Sequence, residues 1–184
     1  MGLFSLLRRR PHERAGFLLY GAAVAAARAP LLHTRFGVAD SLDGRFDLAS
    51  LHVALLIRRL RRDADPRGPS LAQAVFDAMF SDMDVNLREM GVGDLSVGKK
   101  VRKMWEAFHG RALAYEAALD AGVAASLAAA LERNVWRGAA PGRAAAGLAA
   151  LAMAQDRHLA TQPFAALARG EASFLPVQEV LHDA

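Results

Sequence analysis

The acidic stretch FDAMFSDMDVNLREM and the basic stretch that follows it, GVGDLSVGKKVRKMWEAF, hold the side chains of this sequence best suited to chemistry. Asp82, Asp84 and Asn86 alternate as the first three ligands of a calcium loop do. Such a loop needs glycine at its sixth position for a sharp turn and glutamate at its twelfth as a bidentate ligand. Leu87 and Gly93 stand there instead, so the spacing argues against a calcium loop. A di-metal carboxylate centre in a helical bundle needs Glu-x-x-His on two helices. Within the helices that the sequence predicts, Glu106 and His109 make the one pair with that spacing, and His12, His33, His52, His158 and His182 are scattered. Neither G-x-S-x-G nor a P-loop is present. GVGDLSVGKK is glycine-rich, but no strand precedes it. Its Lys99 and Lys100 fall in the first turn of a helix, where free backbone N–H groups favour anions. That stretch reads equally as a site for an anion or acidic peptide and as an exposed basic helix start. The absence of cysteine excludes disulfides, thiol catalysis and thiolate-bound metals. These residues imply no metal and no cofactor.

The charges must be held by a scaffold, and composition indicates its kind. A chain of 184 residues, 53% of them hydrophobic, can bury one domain-sized core. Its abundant alanine favours helix. A net charge of +4 allows an acidic partner, nucleic acid or an anionic membrane, although 19 acidic residues are interleaved with the 23 basic ones. The long uncharged runs, FLLYGAAVAAA and AGVAASLAAAL among them, fall short of the ~20 residues that cross a bilayer. MGLFSLLRRR places its charge after its apolar part, unlike a secretory signal, and carries Leu6 where myristoylation wants Ser or Thr. It reads as an apolar–basic tip that either frays or touches a membrane surface.

Apolar residues recur at steps of three and four along the chain, which predicts helices at 12–28, 47–62, 70–90, 96–119, 123–137 and 143–159, with a short turn at 163–169. An irregular connection is expected at 31–44 and a break at DADPRGPS. Ser70 with Gln73 has capping-box spacing, and Ser96 is placed to cap the following helix. Gly91 is the expected helix stop, and both Gly91 and Gly93 are expected to take positive φ. The fold expected is all-α, a compact single-domain helical bundle of about six or seven helices. A flexible tip at 1–11 precedes one domain at 12–170, and a C-terminal tail follows at 171–184.

Phe76, Met79, Phe80, Met83, Leu87 and Met90 form one helical stripe, with Asp77, Asp84 and Arg88 on one flank and Asp82, Asn86 and Glu89 on the other. Asp84–Arg88 and Arg102–Glu106 are spaced to pair, each worth ~0.2–0.5 kcal/mol. Such a stripe reads as core. Its methionines and charged rims also suit a groove for another helix.

Two blocks carry a family resemblance. DSLDGRFDLASLHVALLIRRLRR, residues 40–62, holds G-R-F-x-L, H-x-x-L and R-R-L. Residues 71–115 hold F-D-x-M-F-x-D-M-D-x-x-L-R-E-M-G-V-G-D-x-x-V-G-K-x-V-K/R-x-M. Both resemble the ubiquinol–cytochrome c chaperone family. The chain uses arginine over lysine, with only Lys99, Lys100 and Lys103, in an alanine-rich composition typical of GC-rich bacterial genomes, so a bacterial member is expected.

The resemblance implies a helical assembly factor for respiratory complex III, and not an enzyme. It implies that newly made cytochrome b is the client, with a small partner protein and proximity to the ribosome, and no DNA. It supplies no catalytic residues. Its motif positions give candidates for client or partner contact: Arg45, His52, Asp77, Asp82, Asp84, Arg88, Glu89, Asp94, Lys99 and Lys100. A transmembrane helix of the client would lie in a groove bordered by the helices at 70–91 and 96–119. Basic segments at 8–10, 58–62 and 99–103 would hold the protein, cytoplasmic, near the anionic inner membrane or ribosome. The competing classes are a metal- or anion-binding helical enzyme using the acidic helix, and a nucleic-acid module for ribosomal RNA, which lacks an aromatic stacking platform.

Overall fold

Steps of three and four between apolar residues become α-helices along the whole of residues 12–182, which a computed structural model describes. In order they are α1 (Glu13–Ala27), α2 (Pro30–Thr34), α3 (Leu42–Arg61), α4 (Gly68–Glu89), α5 (Asp94–Ala121), α6 (Ala124–Val135), α7 (Ala144–Thr161), α8 (Phe164–Ala168) and α9 (Val177–His182). No strand occurs among the described residues. The six long helices are those expected from the sequence, and α8 is the expected short turn. The two further short helices, α2 and α9, fall in segments read as irregular. The tip expected at 1–11 lies outside the described residues.

α3 is the centre of a single compact bundle. Its middle, LASLHVALL, is apolar on nearly every side, so it has to be surrounded. It packs against α1, α4, α5, α6 and α7. Leu48, Leu51, Leu55, Leu56 and Leu60 are all buried in it. α1 lies across α4 in the most extensive helix pair of the bundle. They approach so closely at Gly16 that a Cβ there would sit 2.6 Å from the backbone of Ala74.

Helix ends depart from the sequence expectations for local reasons. α3 starts five residues early, because Ser41 Oγ accepts from the Gly44 N–H at 3.2 Å. α4 starts at Gly68 with Pro69 in its first turn, where a missing N–H costs nothing. Ser70 is therefore inside the helix and does not cap it, and Gln73 donates to Asp77 at 2.8 Å instead. Gly91 ends α4 with φ +79, as expected. Gly93 is instead the N-cap of α5 with φ −60, and Asp94, not Ser96, opens the helix.

The segment after α8 is fixed to the bundle. Gln155, buried in α7, exchanges two hydrogen bonds with the backbone of Leu175, and Val177 of α9 is buried. No helix of the described residues is long and apolar enough to cross a membrane.

Candidate interaction surface

α4 and α5 form a hairpin whose inner seam is filled with rings. Phe76, Phe80 and Phe108 stack edge to face or tilted, with centroids 4.7 to 6.0 Å apart. His109 closes the end of this cluster, 5.4 Å from Phe76 and 4.0 Å from Trp105. Met79 and Leu87 are buried and Met83 is half-buried. The Met/Phe stripe is thus core for most of its length, and Met90 at its end is exposed.

The outer surface of the hairpin differs from its seam. Asp77, Ser81, Asp84 and Arg88 follow at three- and four-residue steps along the outward face of α4. Arg88 joins the two helices: its Nε donates to Asp84 at 2.6 Å and its Nη1 to Asp94. Asp84 in turn holds the guanidinium above its ordinary pKa. Arg102 pairs with Glu106 at 3.0 Å as the spacing predicts. Glu89, Lys99, Lys100 and Lys103 are exposed. Large apolar side chains stand among them at the surface: Val85, Met90, Leu95, Trp105 and Leu113, with Leu95 93% exposed. Placing this many large apolar groups in water beside charge is a mark of a contact surface.

The candidate residues therefore separate into groups. Asp84, Arg88, Glu89, Asp94, Lys99 and Lys100 gather on the α4–α5 hairpin around its turn, and Asp77 lies further along α4. Asp82 turns towards α1 and accepts the Tyr20 hydroxyl at 2.6 Å. Burial first, and then this bond, pushes the Tyr20 phenol far above its usual range. Arg45 is exposed near the start of α3 and pairs with Asp40 at 2.6 Å. His52 is 2% exposed. Its Nδ1 donates to the Leu48 carbonyl at 2.8 Å and its ring meets Phe174 edge-on. Burial holds its pKa below the ordinary imidazole range. His52 thus packs within the bundle and does not face solvent.

Sequence reasoning missed a second charged centre. Asp47, 1% exposed, lies 2.7 Å from Arg111 of α5 and 2.9 Å from Arg137, just past α6. Burial pushes its carboxyl up, against the pull of both guanidiniums. Arg137 reaches it from a left-handed backbone, φ +57. The sequence signal is a lone aspartate inside an apolar helix, which has to be paired if charged. Its partners are too distant in sequence to be named from spacing.

The arrangement offers apolar contact ringed by charge. Among the described residues no group of three or more His, Cys, Asp or Glu is placed to hold a metal ion. Glu106 is engaged with Arg102, and His109 Nδ1 lies 3.1 Å from the Trp105 carbonyl.

No curated protein matches the chain. A crystal structure of the Cbp3 homolog from Brucella abortus is similar to it, with a TM-score of 0.81 and 36% identity, covering 97% of this chain and 99% of that one. The sequence matches the family described as Ubiquinol-cytochrome C chaperone over residues 34–174. That range holds the whole hairpin and the Asp47 centre, so the chain belongs to the ubiquinol–cytochrome c chaperone family.

Proposed function

We propose that this protein is a non-enzymatic assembly chaperone for the ubiquinol–cytochrome c oxidoreductase, and that it holds newly made cytochrome b on the α4–α5 hairpin. The observation that carries the reading is the display of Val85, Met90, Leu95 and Trp105 on this hairpin, within the block that bears the longest family motif. An apolar client helix leaves water against these side chains. Asp84, Arg88, Asp94 and Lys99 border the contact and orient the client's polar loops. Charges at a rim act on encounter and orientation more than on affinity. Because rings fill the seam, the client lies over the outer surface of the hairpin and not between its helices. A small partner protein, and positioning at the cytoplasmic face of the membrane near the ribosome, belong to the same reading.

The test is a photo-crosslinking amino acid placed at Leu95 or Trp105, with Val123, an exposed apolar residue just past the far end of α5 from the hairpin turn, as control, in growing cells. Capture of cytochrome b from the hairpin positions and not from Val123, lost on adding Val85→Glu, is the expected result. Equal capture from all three positions, or none of any respiratory subunit, would overturn it.

A further inference from the structure

Two open clefts, of about 500 and about 480 Å3, meet on the outer face of α7 and share Ala150, so that together they make one groove along the helix. α7 packs on α3, α6 and α9 through its other faces. The residues it gives to the groove include Arg143, Gly147, Ala150, Ala154, Arg157 and Thr161, at alternating steps of four and three. That repeat is the one along which a second helix packs nearly parallel or antiparallel to the first. The floor at Gly147, Ala150 and Ala154 carries nothing larger than a methyl group, so another helix can come close. Phe36 and Pro141 close the groove at the start of α7. Phe36 rests on Gly147 so closely that a Cβ there would lie 2.6 Å from its ring. Leu175 and Val180 wall the other half.

Charge decides what fits it. Arg35 and Arg143 stand at the closed end, and Arg157 lies four turns along α7 from Arg143, roughly 21 Å away. Among the described residues none of these three pairs with a carboxylate, whereas Arg58, Arg59 and Arg62 all do. Glu179 is the carboxylate among the lining residues, so the groove carries a net positive charge. A second copy of the chain fits poorly. In a two-fold pair arginines would meet arginines whichever way the two helices run. A bilayer fits poorly too, because no large exposed apolar side chain rises from the groove. RNA lacks a ring to stack on, since Phe36 is 3% exposed.

We infer that this groove takes an amphipathic helix of a partner protein, laid on the Gly–Ala floor, with carboxylates that meet Arg157 and the Arg35 and Arg143 pair. Its C-terminal end lies at Arg35 and Arg143, where the negative end of its dipole adds to the carboxylates, so it runs antiparallel to α7. The groove shares no residue with the α4–α5 hairpin, and the inference does not rest on the client.

The probe is a fluorescein-labelled alanine–leucine helical peptide of about six turns, with glutamates four turns apart on one face. Its anisotropy is titrated with the full-length protein at low salt. Saturable binding is expected, and glutamine in place of the glutamates should weaken it roughly tenfold or more with the protein unchanged. Arg143→Glu with Arg157→Glu should cause a loss of similar size. Arg14→Glu with Arg133→Glu, at exposed positions on α1 and α6, makes the same change in net charge and should leave binding intact. Ala150→Gln raises the floor without altering charge and should weaken it. Absence of saturable binding, equal binding of the two peptides, or equal loss in the control variant would overturn the inference. So would equal binding of a peptide whose glutamates are scattered round every face, which would leave only diffuse attraction. So would a protein that sediments as a dimer and becomes a monomer on Ala150→Glu, which would seat a second copy on α7. Displacement of the probe by oligouridine or by anionic vesicles more readily than by unlabelled peptide would likewise overturn it, making RNA or lipid the occupant.

Discussion

At the scale of single residues, two buried ionisable groups govern stability in different ways. His52 is neutral in the folded protein because burial lowers its pKa, whereas the unfolded imidazole titrates near ~6.5. Its contribution is therefore fully present above that pH and is lost as the pH falls and the unfolded chain takes up a proton. Denaturant unfolding between pH 7 and 5 should show a loss approaching ~1.4 kcal/mol per unit at the acid end, and the His52→Gln variant should lack that portion. Asp47 answers to its partners. Arg111→Leu leaves a buried carboxylate with only the half-exposed Arg137, and should cost about 3–5 kcal/mol, the usual penalty for breaking a buried pair. Arg137→Ala should cost clearly less, since its guanidinium is half-exposed and keeps much of its water. Chemical denaturation of both variants separates the two roles.

At the scale of elements, the crossing of α1 over α4 is set by the missing side chain of Gly16. Gly16→Ala drives a methyl into the backbone of Ala74 and should destabilise by about 1–3 kcal/mol through overpacking. Gly21→Ala, one and a half turns along the same helix with nothing within 4 Å, should stabilise by roughly 0.5–1 kcal/mol. Opposite shifts in the unfolding midpoint would place α1 where the structure has it. The helices themselves were legible because their signal is local: the stripe from Phe76 to Leu87 is read from spacing alone and is buried or half-buried. Helix starts were less legible, because a capping pattern at Ser70 competes with Pro69 one residue earlier, and only the backbone shows which prevails. The hairpin charges were legible as pairs at i and i+4. The Tyr20–Asp82 and Arg137–Asp47 bonds, with partners 62 and 90 residues apart, were not, because no local period encodes them. The same limit hid how the two helices meet: they pack seam to seam, and the rings of Phe76, Phe80 and Phe108 fill the seam, which spacing alone does not show.

At the scale of the whole molecule, charge is unevenly arranged by type more than by sign. All three lysines sit on α5 within two turns, exposed, while Arg58, Arg59 and Arg62 at the end of α3 are tied into pairs with Asp63, Asp120 and Asp156. If the protein works against an anionic membrane, α5 supplies the free cations. Reversing Lys99, Lys100 and Lys103 to Glu should abolish pelleting with anionic vesicles at low salt, since each basic residue near such a surface contributes about 1 kcal/mol. Unchanged pelleting would remove α5 from that contact and leave the basic segment at 8–10 as the place to look. The family match itself begins after α1, at residue 34, so the helix that lies across α4 is carried by the structural similarity to the Brucella protein.

Arg59, at the end of α3, spans the molecule in sequence while staying local in space. It donates to the carbonyls of Leu159 and Gln162, which are 100 and 103 residues further along, and to Asp63. During synthesis at about 5–20 residues per second, α3 is finished on the order of 5–20 seconds before its last partner helix leaves the ribosome. For that interval the apolar sides of α3 that later meet α6 and α7 have no cover, and the guanidiniums of Arg58 and Arg59 have no distant acceptors. Nascent chains stalled after α5 should therefore be insoluble when released, while chains carried through α7 should not. A protein of a chaperone family would then itself pass through a stage of birth in which it needs shelter.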